Sequence, residues 1–183
     1  IYSREGLNIT VIENGKNIQY SRRQIEIIHS QNRQQRIKGV VGSGKTTILA
    51  ARAVEAYKRT KGKILILTYN ITLKNYIHDK ISQVRAEFPW ENFIILNYHT
   101  FINNELNNLG VDVSVPEKFN ELSLEQKEKY FESNYYSNKQ LFAENAEKIV
   151  QYDAIFIDEI QDYKRPWMEI IKEFFLVEGG EYV

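Results

Sequence analysis

The sequence contains no cysteine, which excludes a disulfide framework and a thiolate metal site. That absence suits a reducing compartment, and we expect a cytoplasmic protein. No apolar run approaches the roughly 18 residues of a membrane-spanning helix, so we expect no membrane partner. Proline occurs three times and glycine nine times, and hydrophobic residues make up 43% of the chain, as in an ordinary soluble globular protein.

Neither sign of charge is in excess, because 24 Lys and Arg balance 24 Asp and Glu. The strongly basic composition of a dedicated nucleic-acid binder is therefore missing. The charge is unevenly distributed: residues 1–104 carry 16 Lys and Arg against 7 Asp and Glu, whereas residues 105–183 carry 8 against 17. A polyanion would favour the first part of the chain. The length of 183 residues suits one domain that buries roughly 70% of its unfolded surface.

The phosphate-binding pattern G-x-x-x-x-G-K-[ST] occurs in the run Gly39-Val40-Val41-Gly42-Ser43-Gly44-Lys45-Thr46-Thr47. Its glycines allow positive φ angles and let backbone N–H groups approach a triphosphate. Lys45 would place its ammonium against the β- and γ-phosphates, and the Thr46 hydroxyl would bind Mg²⁺. We therefore expect ATP and Mg²⁺ as cofactors, with the nucleotide bound by Gly39, Gly42, Ser43, Gly44, Lys45, Thr46 and Thr47.

Strand and helix patterns alternate along the chain, which predicts an α/β fold with a parallel sheet and helices on both faces. Continuous apolar runs predict buried strands at 63–69, 93–96 and 152–158, and a new strand begins at 181. We interpret 36–41 as a short strand that leads into the phosphate loop. Apolar spacing predicts helices at 46–58, 71–84 and about 166–177, the first followed by Gly62 at its C′ position and the last ended by Gly179-Gly180.

Local turn and cap signals divide the chain further. Asn14-Gly15 between two strand-like runs is a type I′ hairpin signal. We therefore interpret residues 1–20 as an N-terminal hairpin, with the end of an upstream domain as one open interpretation. Capping boxes at Ser21 and Ser123 predict helix starts. Residues 21–183 would form one ATP-binding domain, with a polar, tyrosine-rich helical insertion at about 101–150.

A second signal of nucleotide chemistry lies at the end of the predicted strand 152–158, where Asp158 and Glu159 follow four apolar residues. The carboxyl ends of parallel strands form the ligand-binding edge of an α/β sheet. Asp158 would bind Mg²⁺ together with Thr46, and Glu159 would polarise the attacking water. An acidic turn without chemistry is the alternative, and the upstream phosphate loop favours the functional interpretation.

The run Asp158-Glu159-Ile160-Gln161-Asp162 resembles the D-E-x-Q-D signature of superfamily 1 helicases of the UvrD/Rep type. Other segments match that family in the same order. Gln24 stands 21 residues before Lys45, where the family has an adenine-reading glutamine. Leu67-Thr68-Tyr69-Asn70 resembles a segment that contacts single-stranded DNA, and Tyr98-His99-Thr100-Phe101 resembles an aromatic-His-Ser/Thr segment of the family. The resemblance covers about residues 20–183.

This resemblance implies a RecA-like P-loop NTPase fold and the first motor domain of an ATP-dependent DNA helicase or translocase. Single-stranded DNA is the expected partner, with RNA left open. The region between Thr100 and Asp158 is shorter than the family's usual second subdomain. The chain ends before the family's G-D-x-x-Q motif and second motor domain, which supplies arginines to the γ-phosphate. By resemblance this chain alone hydrolyses ATP very slowly. The implied roles are catalysis for Lys45, Glu159 and Gln161, adenine binding for Gln24, and nucleic-acid contact for Thr68, Tyr69, Asn70 and His99.

Several alternatives stay open at this point. The chain could be a P-loop ATPase that remodels or switches a protein partner without moving along DNA, or a nucleotide-dependent binding module. An enzyme resembling a nucleotide kinase is less consistent, because no acceptor-binding motif is evident. Single residues also have structural alternatives: a capping-box residue for Gln24, a core aromatic for Tyr69, a helix cap for Asn70, a packed side chain for His99 and a turn residue for Gln161. We interpret Tyr130, Tyr135 and Tyr136 as helical packing, with a stacking platform as the alternative.

Overall fold

The computed structural model describes residues 9–13, 16–40, 42–70, 72–84 and 88–183. These ranges form an α/β architecture on one four-stranded, all-parallel sheet with the strand order β4-β3-β5-β6, and β1 and β2 pair separately as an antiparallel hairpin. The α/β class and parallel sheet predicted from sequence are therefore confirmed. The strands are β1 (Ile9–Glu13), β2 (Lys16–Tyr20), β3 (Ile64–Thr68), β4 (Phe93–Asn97), β5 (Tyr152–Ile157) and β6 (Leu176–Tyr182).

Helices connect the strands. α5 and α7 each continue into a π-helical turn, Glu132–Tyr136 and Ile171–Phe175 respectively. No helix in the described ranges is long and apolar enough to cross a membrane. The α-helices are α1 (Arg22–Ile28), α2 (Lys45–Thr60), α3 (Leu73–Val84), α4 (Tyr98–Asn108), α5 (Leu124–Phe131), α6 (Lys139–Ala143) and α7 (Arg165–Ile170).

The sheet is covered by apolar side chains on both faces. Successive residues of a strand point to opposite faces, and Ile64 and Ile66 of β3 join the cluster formed with α1, α2 and α3. Leu65 and Leu67 of the same strand join a second cluster with α4, α7 and the residues after α5. The strands are therefore buried on both sides, which explains why their sequences are continuously apolar rather than alternating.

Capping boxes start α1 and α5, as predicted. The Ser21 hydroxyl accepts a hydrogen bond from the Gln24 N–H, and the Gln24 side chain accepts one from the Ser21 N–H. Ser123 and Gln126 repeat this exchange at α5.

In the hairpin Glu13 lies opposite Lys16, and the predicted turn residues Asn14-Gly15 lie outside the described residues.

The strand predicted at 36–41 does not form over residues 36–40, and Val41 lies outside the described residues. A single parallel bridge joins Gln34 to Tyr182 of β6, with the Gln35 N–H donating to the Tyr182 carbonyl over 3.1 Å. The segment before the phosphate loop still lies at the sheet edge, next to β6.

The predicted helix 166–177 and its stop at Gly179-Gly180 were wrong at their ends. The helical turns end at Phe175, and β6 begins at Leu176, five residues before the expected strand start at 181. The glycines lie inside β6, where the pairing shifts: Tyr152 pairs with Leu176, but Ala154 pairs with Glu181. Gly179 has φ +72°, a left-handed conformation that suits glycine at such a bulge.

Gly62 does not take the left-handed conformation that ends α2, because Lys61 does, with φ 54°. Gly62 is required for a different reason. A Cβ atom there would lie 1.9 Å from Oδ2 of Asp153, whose carboxylate accepts a hydrogen bond from the Lys63 N–H over 2.8 Å. The sequence therefore predicts correctly that glycine matters after α2, but the reason is close packing against Asp153 and not a positive φ angle.

Residues 98–148 are predominantly helical, and their tyrosines serve packing. Tyr135 is buried, and its hydroxyl donates to the Ser114 carbonyl over 2.9 Å while accepting from the Ser114 N–H. Tyr130 also donates to that carbonyl, over 3.0 Å. These hydrogen bonds fix the irregular segment between α4 and α5 against the helices.

Candidate functional site

The glycine-rich loop is built from left-handed backbone at the start of a helix. Gly42 and Gly44 have φ angles of 80° and 78°, which a residue with a Cβ atom rarely adopts. Gly39 is needed for space, since a Cβ there would lie 2.6 Å from the Ser43 Oγ. α2 begins at Lys45 directly after Gly44, so the positive end of its dipole faces the loop.

Lys45 curls back over this loop. Its Nζ donates to the carbonyl oxygens of Gly39 and Val40, over 3.1 and 3.2 Å. The ammonium is thereby held beside the loop backbone, where an anion bound by the loop would meet it. The Ser43 hydroxyl is buried and has no hydrogen-bond partner among the described residues, so it is free to bond a ligand.

Gln24 joins α1 to the loop. Its Nε2 donates to the Ser43 carbonyl over 3.3 Å, while its Oε1 accepts from the Ser21 N–H over 2.8 Å. The predicted capping role is therefore present, and the same amide also contacts the phosphate loop. Both ends of the amide are engaged, so reading an adenine edge would require it to exchange these bonds.

Thr46 and Asp158 meet although 112 residues separate them in sequence, with the Thr46 hydroxyl donating to Asp158 Oδ2 over 3.0 Å. Asp158 follows β5 directly and is 4% exposed. Burial raises the pKa of Asp158 above its usual range; the Thr46 hydrogen bond opposes that rise, and the Glu159 charge adds to it. A cation bound beside such a buried carboxylate would favour its charged form.

Glu159, which follows Asp158, has a left-handed backbone conformation with φ 57° and ψ 46°. That left-handed conformation is uncommon for a residue with a long side chain and occurs at functional sites. The Glu159 N–H donates to Asp158 Oδ1 over 3.1 Å, and the Gln161 amide donates to the Glu159 carboxylate. The acidic turn therefore holds all three polar residues of D-E-x-Q in one hydrogen-bonded group.

Two cavities adjoin this group. One, of about 270 Å³, is lined by Tyr76, Glu159 and residues of the loop and of α2. The other, of about 320 Å³, lies between residues 34–37 and the ends of β5 and β6, and includes Gln161. Lys45 and Glu159 line both cavities, so an anion and a nearby water could reach them from either side.

The donor set fits Mg²⁺ held jointly with phosphate. Within the described ranges no group of three or more His, Cys, Asp or Glu could hold a metal by itself. The Thr46 hydroxyl and the Asp158 carboxylate are hard oxygen ligands, and Mg²⁺ is commonly held by one or two carboxylates together with substrate phosphates. The site therefore suits a metal that arrives with a nucleotide.

A second polar and aromatic surface lies at the ends of β3 and β4, where Thr68 pairs with Asn97. Tyr69 is 52% exposed and contacts the edge of the Tyr163 ring, with centroids 6.4 Å apart. Thr68 is fully buried, and its hydroxyl donates to the Asn70 carbonyl over 3.0 Å, so it shapes the strand end without reaching the surface. The Asn70 side chain accepts from the Thr72 N–H over 3.0 Å, which supports its interpretation as a cap before α3.

His99 lies on the same edge, in the first turn of α4. Its ring makes edge contacts with Tyr136 and Trp167, with centroids 4.6 and 4.9 Å apart. Burial lowers the pKa of His99, Glu132 acts to raise it, and Lys164 lowers it further. The imidazole is therefore neutral at pH 7, and it offers a ring face or a hydrogen bond rather than a positive charge.

No protein-family model matches this sequence, and a search of the curated proteins found no match.

Sequence reasoning missed several residues that the structure brings to this edge. Glu132, in the π-helical turn, accepts hydrogen bonds from Trp167 Nε1 and Lys164 Nζ, each over 2.9 Å, and from the Ser137 hydroxyl. Burial acts to raise the pKa of Glu132, but these hydrogen bonds outweigh burial and lower it. The sequence around Glu132 contains no pattern that indicates this role. Trp167 lies at the start of the helix that apolar spacing predicts at about 166–177, so its burial could have been expected.

Proposed function

We propose that this chain is the ATP-binding, RecA-like first motor domain of an ATP-dependent helicase or translocase that acts on single-stranded DNA. The observation that carries the proposal is the hydrogen bond between Thr46 and Asp158. It joins a phosphate-loop hydroxyl to a carboxylate at the end of a parallel strand, which is the pair of oxygen ligands that P-loop enzymes use for Mg²⁺.

The remaining groups suit phosphate chemistry. Lys45 supplies a cation, the left-handed glycines Gly42 and Gly44 let the loop backbone approach a phosphate, and the α2 N-terminus adds a partial positive charge. Bound Mg²⁺ would neutralise developing negative charge on the terminal phosphates. Glu159 lies beside Asp158 with its carboxylate held by Gln161, a position from which it would orient a water. These roles belong to the proposal.

The nucleic-acid part of the proposal rests on where the aromatic residues lie. The ends of β3, β4 and β5 adjoin one another in the sheet, so Tyr69 and His99 lie on the same edge as Asp158. An exposed tyrosine and a neutral imidazole on one edge suit stacking with unpaired bases. The excess of Lys and Arg over residues 1–104 would attract the phosphate backbone.

Replacing Lys45 by Ala tests the nucleotide site. Wild type should gain roughly 5–10 °C in melting temperature with Mg·ATP at about 100 times its Kd, because a ligand that binds only the folded state stabilises it by mass action. The variant should gain almost nothing, since the loop loses its cation. Differential scanning fluorimetry with and without Mg·ATP measures both shifts.

Lys129→Ala is the matched control, because Lys129 is an exposed lysine of α5 outside both cavities. It should keep the full shift. Equal shifts for wild type and the Lys45 variant, or none for wild type, would contradict the proposed nucleotide site.

Replacing Tyr69 by Ala tests the nucleic-acid surface. If its exposed ring stacks on a base, binding of a labelled single-stranded oligonucleotide should weaken by about 1–3 kcal/mol. Fluorescence anisotropy at several salt concentrations measures this, and affinity should fall steeply with salt for both proteins. Trp90→Ala, which removes a partly exposed aromatic before β4 at the opposite edge of the sheet, should leave affinity unchanged. Equal affinities of wild type and a folded Tyr69 variant would make Tyr69 a packing residue.

A further inference from the structure

Tyr76 occupies an unusual place on α3. The neighbouring Ile77 and Ile81 are fully buried against the sheet, whereas the Tyr76 ring is 46% exposed. Tyr76 also forms part of the wall of the 270 Å³ cavity over the phosphate loop.

The other residues that line this cavity come from two sources, the phosphate loop with the first turn of α2, and the acidic turn after β5. Tyr76 is the lining residue that α3 contributes. Lys80, one turn further along α3, places its Nζ 5.1 Å from the centroid of the Tyr76 ring, so a cation covers the ring. Among the described residues the Tyr76 hydroxyl has no hydrogen-bond partner, so this donor is available to a ligand.

The position along the cavity indicates which part of a nucleotide Tyr76 faces. Thr46 and Glu159 line the same cavity, and these residues belong to the metal and terminal-phosphate end of a P-loop site. A tyrosine hydroxyl can donate to a phosphate oxygen, and its ring can exclude water from the charges beside it. The cavity therefore combines an anion site with a donor that enters from a separate helix.

We propose that Tyr76 is a further nucleotide-binding residue, whose hydroxyl donates to the terminal phosphate of a bound nucleoside triphosphate and whose ring closes the phosphate site. This inference rests on the proposed function, and it names the side of the nucleotide that the residue contacts. A diphosphate lacks the group that Tyr76 contacts, so Tyr76 favours the triphosphate over the diphosphate.

Calorimetric titration of Mg·ATP and Mg·ADP into wild type and Tyr76→Phe tests this. The variant removes only the hydroxyl, which is partly solvated, so folding should be unchanged. A hydrogen bond to a charged group is stronger than one between neutral groups, so ATP affinity should fall about tenfold or more, while ADP affinity should change less than twofold. Tyr76→Ala should weaken ATP further, because the ring is lost as well.

Tyr130→Phe is the matched control, since it removes a tyrosine hydroxyl that bonds Ser114 away from both cavities. It should bind both nucleotides like wild type. Equal ATP affinity for wild type and Tyr76→Phe, or an equal loss for ATP and ADP, would overturn the role of Tyr76 while leaving the nucleotide site in place. Absence of ATP binding by wild type would overturn both proposals.

Discussion

Replacing Glu181 by Gln should lower the free energy of unfolding by about 3–5 kcal/mol, because it leaves a buried guanidinium without its counter-charge. Arg52 of α2 is fully buried, and its Nε donates to Glu181 Oε1 over 2.7 Å. Arg59, two turns further along the same face of the helix, donates to the other carboxylate oxygen over 2.5 Å. Glu181 therefore neutralises two cations at once.

The hydrogen bonds that remain in this variant do not replace the lost charge. Arg52 also donates to the carbonyl oxygens of Asn32 and Ile27, over 2.8 and 3.4 Å, and to the Gln35 side chain. These neutral acceptors satisfy N–H groups but leave the positive charge buried. Breaking a buried pair by removing one partner is costly even where the pair itself adds little stability.

Urea denaturation followed by circular dichroism measures the effect. Glu178→Gln on the same strand is the control, because Glu178 is exposed; it should change the free energy of unfolding by less than about 0.5 kcal/mol. Similar losses for the two variants would show that Arg52 finds compensation elsewhere.

The position of this network bears on the proposed nucleotide site. Arg52 lies two turns after Lys45 on α2, and its partners belong to α1, to the segment that leads to the phosphate loop, and to β6. The loop is therefore connected at both of its ends to one buried cation. This explains how a segment with a single bridge to the sheet, at Gln34, keeps a defined position.

Features set by neighbouring residues could be predicted from the sequence. The helix after the glycine-rich loop, both capping boxes, and the buried strands β3, β4 and β5 appear where they were predicted, within one or two residues. Their signals are local, because glycine conformation, cap hydrogen bonds and apolar runs depend on a few consecutive residues. Thr46 and Asp158 were predicted to share one metal, and the structure places them in contact.

Features set by distant partners could not be predicted. Gly179-Gly180 has the composition of a helix stop, but a shift in the pairing with β5 makes it a bulge inside a strand. Arg52 and Glu181 are 129 residues apart, and nothing in either local sequence marks a buried pair. Tyr76 lies at a solvent-side position of α3 by spacing, and only the packing of α3 on α2 brings it to the cavity. Each of these features depends on a long-range contact that the neighbouring residues do not indicate.

Replacing Trp167 by Ala should also lower the free energy of unfolding by about 3–5 kcal/mol, the usual cost of truncating a buried aromatic. Trp167 is 3% exposed, and its ring is stacked on Tyr98 with centroids 4.3 Å apart and planes within 10°. His99 packs against it edge-on, so the cavity would open directly below the surface at the strand ends. Its Nε1 also donates to Glu132, which would lose one of its hydrogen-bond donors.

The second tryptophan provides the control. Trp90 is stacked on His78 with centroids 4.0 Å apart, but it is 37% exposed, so Trp90→Ala should cost less, about 2 kcal/mol. Trp167→Phe should cost about 1–2 kcal/mol, because it keeps a ring against Tyr98 and removes the N–H that bonds Glu132. Urea denaturation followed by circular dichroism measures these free energies of unfolding, because tryptophan fluorescence would itself change when a tryptophan is removed. A larger loss of stability for Trp167→Ala than for Trp90→Ala would support the role of burial and of the Glu132 hydrogen bond. Equal losses for the two alanine variants would contradict it and would leave ring stacking as the source of the stability.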